Sequence, residues 1–391
     1  MKAFTHAKLI LPDTICEDGF LIEDSGVIRE SGQMKDFPGG GMEIIPCKGL
    51  YLSPGFIDLH CHGGGGHDFM DGTAEAIVEA ARTHLRHGTT TILPTTLTSS
   101  DEDLFLAIAN FRRAKELTAD MPCMPGLHLE GPYFDMEQKG AQNAAYIRRP
   151  EPAHYNKIMA AACGLIRRWS VAPELDGALE MAKALAPQGV MFAIGHSNAT
   201  YAEVQAAVDS GFTHVTHLYS GMSGIVRHNG FRVLGVVESA YLIDSLSVEL
   251  IADGIHLPPE LLRMILKCKD NAKICLITDS MRGAGQPDGP SILGSLQEGQ
   301  EVIIEEGVAK MPDRSCFAGS VATADRLVRV MIEKAGLSLP QAVTLMTKNP
   351  AKICGLTTKG TLESGKDADL ALFDEGIHIK QVYAAGRKIN I

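Results

Sequence analysis

Positive charge is in deficit. Lys and Arg number 36 against 47 Asp and Glu, a formal net charge of −11. That excludes the basic footprint of a nucleic-acid binder or of a protein held on an anionic membrane. An anionic substrate then needs a local cationic pocket. No Cys-x-x-Cys pair occurs among the nine scattered cysteines, and their number is odd. A disulfide framework is therefore not expected in a chain of this length. No apolar run is long enough to span a bilayer, and Met1 to His6 lacks the apolar stretch of a secretory signal. These absences predict a reducing, cytoplasmic setting without a membrane partner. Gly-x-Gly-x-x-Gly and P-loop motifs are missing too, as are internal repeats, which argues against the nucleotide-binding folds.

What is present is apolar bulk: 45% of 391 residues are hydrophobic. That length predicts about two domains, or one large barrel with an appendage. Residues 1–50 read as short strands, such as Ala7–Ile10, Gly19–Glu23 and Val27–Glu30, separated by turns. They are too few to make a stable sheet alone. Matching pieces stand at the other end, at Ala368–Phe373 and Gln381–Gly386. One small β-sandwich domain assembled from residues 1–52 and 358–391 is the economical reading.

Between these ends, residues 53–357 alternate strand and helix patterns. Helix signals at Ala74–His87, Ser100–Thr118, Pro152–Ala162, Asp176–Leu185 and Tyr201–Ser210 separate strand signals. The strands are Thr89–Leu97, Gly126–Glu130, Leu165–Val171, Val190–His196, Thr213–His217, Ser247–Ile255 and Ile274–Asp279. Such alternation predicts a parallel α/β core, and the number of units fits a (β/α)₈ TIM-like barrel. Pro290–Phe317 carries hairpin-like pieces, read as an insertion that helps close a pocket.

The chain is organised around Pro54–His62, a strand running into the glycines Gly63 to Gly66. Alternation along a strand puts Asp58, His60 and His62 on one face. Metal-competent residues recur at later strand ends: Glu130, His196, His217 and Asp279. A parallel barrel brings its C-terminal strand ends to one mouth, so six nitrogen and oxygen donors would converge. Any one of them alone reads as a satisfied buried polar group. Together they suit zinc or another divalent transition metal such as Fe²⁺, Co²⁺ or Mn²⁺, one or two ions per chain. A cation so held favours hydrolysis of an amide or ester, with Asp279 as the proton carrier. His214 stands an odd number of positions from His217 and is expected to face the other way. Cys61 and Trp169 read as core, and His67 and Asp68 as a solvated loop.

The long motifs carry a resemblance. Pro54 to Gly66, His128-Leu129-Glu130-Gly131-Pro132, Gly195-His196-Ser197, Thr216-His217-Leu218-Tyr219, Asp253-Gly254-Ile255-His256 and Thr278-Asp279-Ser280 occur in the same order in one family. The chain resembles the N-acetylglucosamine-6-phosphate deacetylases of the amidohydrolase superfamily over nearly its whole length. The resemblance implies that Glu130, His196 and His217 are the main metal ligands. It implies that His60 and His62 hold a second ion where one is used, with Glu130 bridging, and that Asp279 is the catalytic acid and base. It places substrate contacts at Ala141, Gln142, Ser220, Gly221, His256, Phe317, Ala318 and Gly319. Arg227 is implied as the phosphate-binding arginine, with His228 and Arg232 as rivals, and a homodimer is implied in which that arginine can serve a neighbouring subunit. The substrate implied is N-acetyl-D-glucosamine 6-phosphate, in amino-sugar catabolism. Gln142 and Ser220-Gly221 depart from the family's usual His and Asn-Ala. They leave open N-acetylgalactosamine 6-phosphate or another N-acyl amide as substrate. A non-catalytic sugar-phosphate sensor is a reading of a different class, and it would show a degraded ligand set.

Overall fold

The computed structural model describes residues 1–117 and 121–390. The expected helix end at Thr118 lies outside the described residues. Eight parallel strands, numbered here around the barrel, form its wall. They are β1 (Phe56–Cys61), β2 (Thr89–Thr96), β3 (Leu127–Glu130), β4 (Ile166–Val171), β5 (Met191–Ile194), β6 (Phe212–Val215), β7 (Ser247–Ile251) and β8 (Ile274–Ile277). Each strand hydrogen-bonds to the next in sequence. The seam between β8 and β1 is closed at its upper edge by Asp279 N–H donating to the His60 carbonyl at 2.9 Å. Below it, the Thr278 hydroxyl donates to Asp58 at 2.5 Å. Asp58 is therefore a clasp between the first and last strands rather than part of the centre at the mouth. Burial pushes its carboxyl up to about 6 despite the hydrogen bonds from Thr278.

Helices follow the strands because the intervening segments present an apolar stripe at helical spacing. Ala74–Arg86 shows the pattern. The Thr73 hydroxyl caps it by accepting from Ala76 N–H at 3.2 Å, and Ala76, Ile77, Ala80 and Ala81 are buried against the wall. The layer between strands and helices holds the largest buried side chains, among them Trp169, Phe111, Phe192 and Phe212. Cys61 packs in this same layer, beside His84.

The two ends of the chain meet as expected. Lys2–Ile10, Ile15–Asp24 and Val27–Gln33 join Leu370–Phe373, Ile379–Ala384 and Arg387–Ile389 through Tyr51–Pro54. The sandwich takes the form of one eight-stranded hydrogen-bonded set that branches at the first strand. Lys2–Thr5 pair with Glu43–Pro46, while Lys8 and Leu9 pair with Tyr51 and Leu52. After β8 comes a four-stranded antiparallel sheet of Gly289–Leu293, Gln300–Glu305, Val308–Lys310 and Phe317–Ser320. It leans over the mouth of the barrel through Leu293, Phe317 and Gly319.

Candidate active site

Strand pleating alone does not aim the six side chains. Glu130 is the last residue of β3, but His196, His217 and Asp279 each lie two residues beyond their strands. All three have positive φ, at 47°, 25° and 48°. Non-glycine residues hold this conformation only where their surroundings impose it, and it is commonest at functional sites. On β6 its effect is direct. Val215 packs outward among the helices, and an undisturbed strand would send His217 the same way. The left-handed turn swings the ring inward, to 2.9 Å from Glu130. The expectation that His214 faces away from His217 is therefore wrong. His214 also points into the barrel, one layer deeper, donating to or accepting from the Ser247 hydroxyl at 2.6 Å.

The geometry then reads as two overlapping clusters, Glu130–His196–His217 and His60–His62–Asp279. Glu130 Oε1 lies 2.9 Å from His217 Nε2, 3.3 Å from His196 Nε2 and 3.4 Å from His60 Nε2. Its other oxygen is 3.4 Å from His62 Nε2. Asp279 Oδ1 stands 3.3 Å from His60 Nε2 and 3.2 Å from His62 Nε2. Four ring nitrogens thus turn inward on two carboxylates. With metal–ligand bonds of about 2.05 Å, the edge of a tetrahedral zinc site is about 3.3 Å. The spacings between donors have that size, so the set fits a divalent cation.

Three of the four outer ring nitrogens are fixed by the protein. His196 Nδ1–H donates to the Gln138 carbonyl at 2.8 Å, His62 Nδ1–H to the Thr95 carbonyl at 3.2 Å, and His60 Nδ1–H to Glu249 at 3.4 Å. Each of these bonds leaves Nε2 as the inward-facing donor, the arrangement found around metal-ligating histidines. The charges agree. Burial opposes ionisation of Glu130, but the imidazoles around it outweigh burial and hold its carboxyl well below the ordinary range. Burial likewise opposes protonation of His60 and His62, yet Asp279 and Glu130 lift them to about 9 and about 10. Two carboxylates at this spacing demand positive charge, and a cation is the alternative to protons.

Above the clusters opens a cavity of about 330 Å³. Ala141, Gln142, Ser220, Gly221, His256, Phe317 and Gly319, which the resemblance names as substrate contacts, line it. His256 is held by Asp253, 2.8 Å away, and its ring packs against Phe317 at 4.6 Å between centroids. Ala318 points instead into the core of the inserted sheet. Gln142 lines the wall, but both of its polar atoms are already engaged. Its amide donates to Glu130 at 2.6 Å, and its oxygen accepts from Thr98 N–H at 2.9 Å.

Arg227 is not in this cavity. It sits with His228 and Arg232 on an exposed hairpin of Val226–His228 and Phe231–Val233. Asp68 corrects another expectation: it is fully buried, in a short pairing of Gly63–Gly64 with His67–Asp68. Gly63 permits the fold-back, because a Cβ there would meet the His67 carbonyl at 2.3 Å.

Two buried charged residues went unread in the sequence. Arg168 and Glu249 are wholly enclosed beneath the histidines and paired with one another. Glu249 is the one charge in its strand, Ser247–Ile251, whereas Arg168 stands beside a second arginine, Arg167.

Comparison with known proteins now defines the class. Residues 51–389 match the amidohydrolase family, and the chain belongs to it. It is a hydrolytic enzyme acting on an amide. Among curated proteins it is similar to N-acetylglucosamine-6-phosphate deacetylase of Lysinibacillus sphaericus, with 35% identity covering 89% of this chain and 87% of that one. It is also similar to N-acetylgalactosamine-6-phosphate deacetylase of Escherichia coli, with 33% identity over 86% and 87%. Among solved structures, N-acetyl-D-glucosamine-6-phosphate deacetylase of Mycobacterium smegmatis, in complex with N-acetyl-D-glucosamine-6-phosphate, superposes with a TM-score of 0.90. That match has 30% identity and covers 100% of this chain and 99% of the other.

Proposed function

We propose that the chain hydrolyses the acetamide of N-acetyl-D-glucosamine 6-phosphate, releasing glucosamine 6-phosphate and acetate in amino-sugar catabolism. The observation that carries this is the complete donor set at the floor of an open cavity, in a chain similar throughout to deacetylases of that substrate. Completeness also argues against a non-catalytic sensor. Glu130, His196 and His217 would hold the main ion, and His60 and His62 a second one, with zinc the best fit to the imidazole and carboxylate donors. The ion supplies Lewis-acid polarisation of the acetamide carbonyl and acidifies water at neutral pH. Asp279 takes the proton of the attacking water and delivers it to the departing amine nitrogen. Its carboxyl suits the first half of that task. Burial raises it, but the charge of His60 and the hydrogen bond to His62 leave it below the ordinary range, so it stands ionised. Ser220, Gly221, His256 and the Phe317–Gly319 strand would hold the sugar.

The 6-phosphate needs a cation, and the exposed hairpin supports where one comes from. Ile225, Val226 and Phe231 are 55%, 55% and 77% exposed around Arg227. Such a hairpin fits a homodimer in which Arg227 reaches the neighbouring subunit's cavity. Mixing Arg227→Ala with Asp279→Asn protein tests this: activity should reappear in mixed dimers, and its absence there would confine Arg227 to its own chain. We further take residues 1–52 with 358–391 as one unit and 53–357 as the catalytic unit, following the two large sheets. All nine cysteines are free, which supports a cytoplasmic setting.

A second reading has its own support. The identity to a galactosamine-type relative is nearly as high, and Gln142 and Ser220-Gly221 line the cavity. Acetate release from 6-phosphorylated and free N-acetylglucosamine and N-acetylgalactosamine, on protein of measured metal content, separates the readings. The gluco 6-phosphate should be fastest. A faster galacto epimer would replace the substrate, and turnover of neither would overturn the proposal.

A further inference from the structure

An ion pair buried in a protein core is weak support for stability, because desolvation offsets most of the attraction. The Arg168–Glu249 pair therefore calls for another explanation, and its partners supply one. Arg168 Nη1 donates to the Leu59 carbonyl at 3.2 Å, and Nη2 to the Thr216 hydroxyl at 3.0 Å. Leu59 and Thr216 immediately precede His60 and His217. Glu249 continues the pattern on the ligands themselves. Its Oε2 accepts from His60 Nδ1–H at 3.4 Å and from the His217 backbone N–H at 3.2 Å. One charged unit, supplied by β4 and β7, thus grips both flanks of a donor pair supplied by β1 and β6.

We propose that Arg168 and Glu249 are positioning residues that brace His60 and His217 at the spacing a divalent ion requires. The inference rests on the metal-centre reading above. Glu249 fixes the His60 ring so that Nε2 faces Glu130 and Asp279. The same carboxylate neutralises Arg168, whose charge would otherwise stand behind the centre and oppose a cation. His217 needs the brace most, because its own Nδ1 is buried with no hydrogen-bond partner among the described residues and its backbone is held at positive φ. The N–H bond to Glu249 helps to fix that turn, together with Leu218 N–H donating to the Glu249 carbonyl at 2.9 Å.

The test uses two variants of the full chain. Glu249→Gln keeps the shape and removes the charge. Arg168→Met with Glu249→Leu removes both charges at similar volume, a replacement that buried ion pairs often tolerate, so it serves if the single variant fails to fold. Zinc affinity and stoichiometry are measured on chelator-stripped protein, together with the visible spectrum of the cobalt form and the melting temperature without metal. Outer partners of metal ligands are worth about 10- to 100-fold in affinity. We expect zinc to bind about 10- to 100-fold more weakly in both variants, with an altered cobalt spectrum. In the double variant the metal-free melting temperature should be no lower than in the parent. Affinities within twofold of the parent would overturn the brace while leaving the metal centre standing. Equal loss of metal binding and of metal-free stability in the double variant would reduce the pair to a structural one, overturning the proposal. A parent protein that takes up no divalent metal would overturn both readings.

Discussion

Replacing Asp279 by asparagine keeps the side chain's shape and removes its charge and its ability to carry a proton. Two consequences separate in the structure. The carboxylate faces His60 and His62 at 3.3 and 3.2 Å, whereas Glu130, His196 and His217 form their own cluster without it. Metal held by Glu130, His196 and His217 should survive the change. Turnover should not. A positioned general acid or base contributes about 10²- to 10⁴-fold, or about 3–5 kcal/mol of barrier. The cavity walls that hold the sugar are untouched, so KM should move by no more than about threefold. The assay is acetate release under saturating and limiting substrate, on protein whose metal content is measured in the same sample. A kcat within tenfold of the parent would refute the proton-carrying role. Loss of all metal in the variant would show Asp279 to be chiefly a ligand.

Two further expectations follow from the packing. Gly221 sits at a φ of +55°, and a Cβ there would lie 2.7 Å from His196 Nδ1 and 2.9 Å from the Gln138 carbonyl. Gly221→Ala should therefore displace the ring from its carbonyl partner and weaken zinc binding at least tenfold, measured by competition with a chelating dye; an unchanged affinity would contradict the assigned contact. Asp325 is not among the residues that line the cavity. Burial raises its carboxyl, but His87, Thr323 and Arg329 outweigh burial and bring it down to about 2 from the ordinary 3.8. A depressed carboxyl stabilises the fold above about pH 4 and loses that contribution as pH falls through about 2. Asp325→Asn should cost about 2 kcal/mol at neutral pH in urea unfolding and flatten the acid limb of the stability curve.

The barrel and the donors of its centre are legible because each donor stands near the C-terminal end of a recognisable strand. Glu130 closes Leu127–Glu130 and Asp279 follows Ile274–Ile277, so the alternation of strands and helices was enough to bring them together. What escaped depended on departures from that regularity. His214 was placed on the wrong face because the turn at His217 cannot be foreseen from a period of two. Asp68 looked solvated because nothing local announces that glycines will fold the loop back on itself. Arg168 and Glu249 stand 81 residues apart on different strands, and only closure of the barrel makes them partners. Arg227 comes from the resemblance alone, and it stands on an exposed hairpin outside the cavity lining.

The central claim is that remote strand ends jointly hold an ion on which amide hydrolysis depends. Titrating chelator-stripped protein with zinc, while acetate release from N-acetyl-D-glucosamine 6-phosphate is followed, tests it most directly. Activity should rise from near zero and saturate no later than the second ion per chain. Full activity before any zinc is added, or zinc uptake without acetate release, would contradict it.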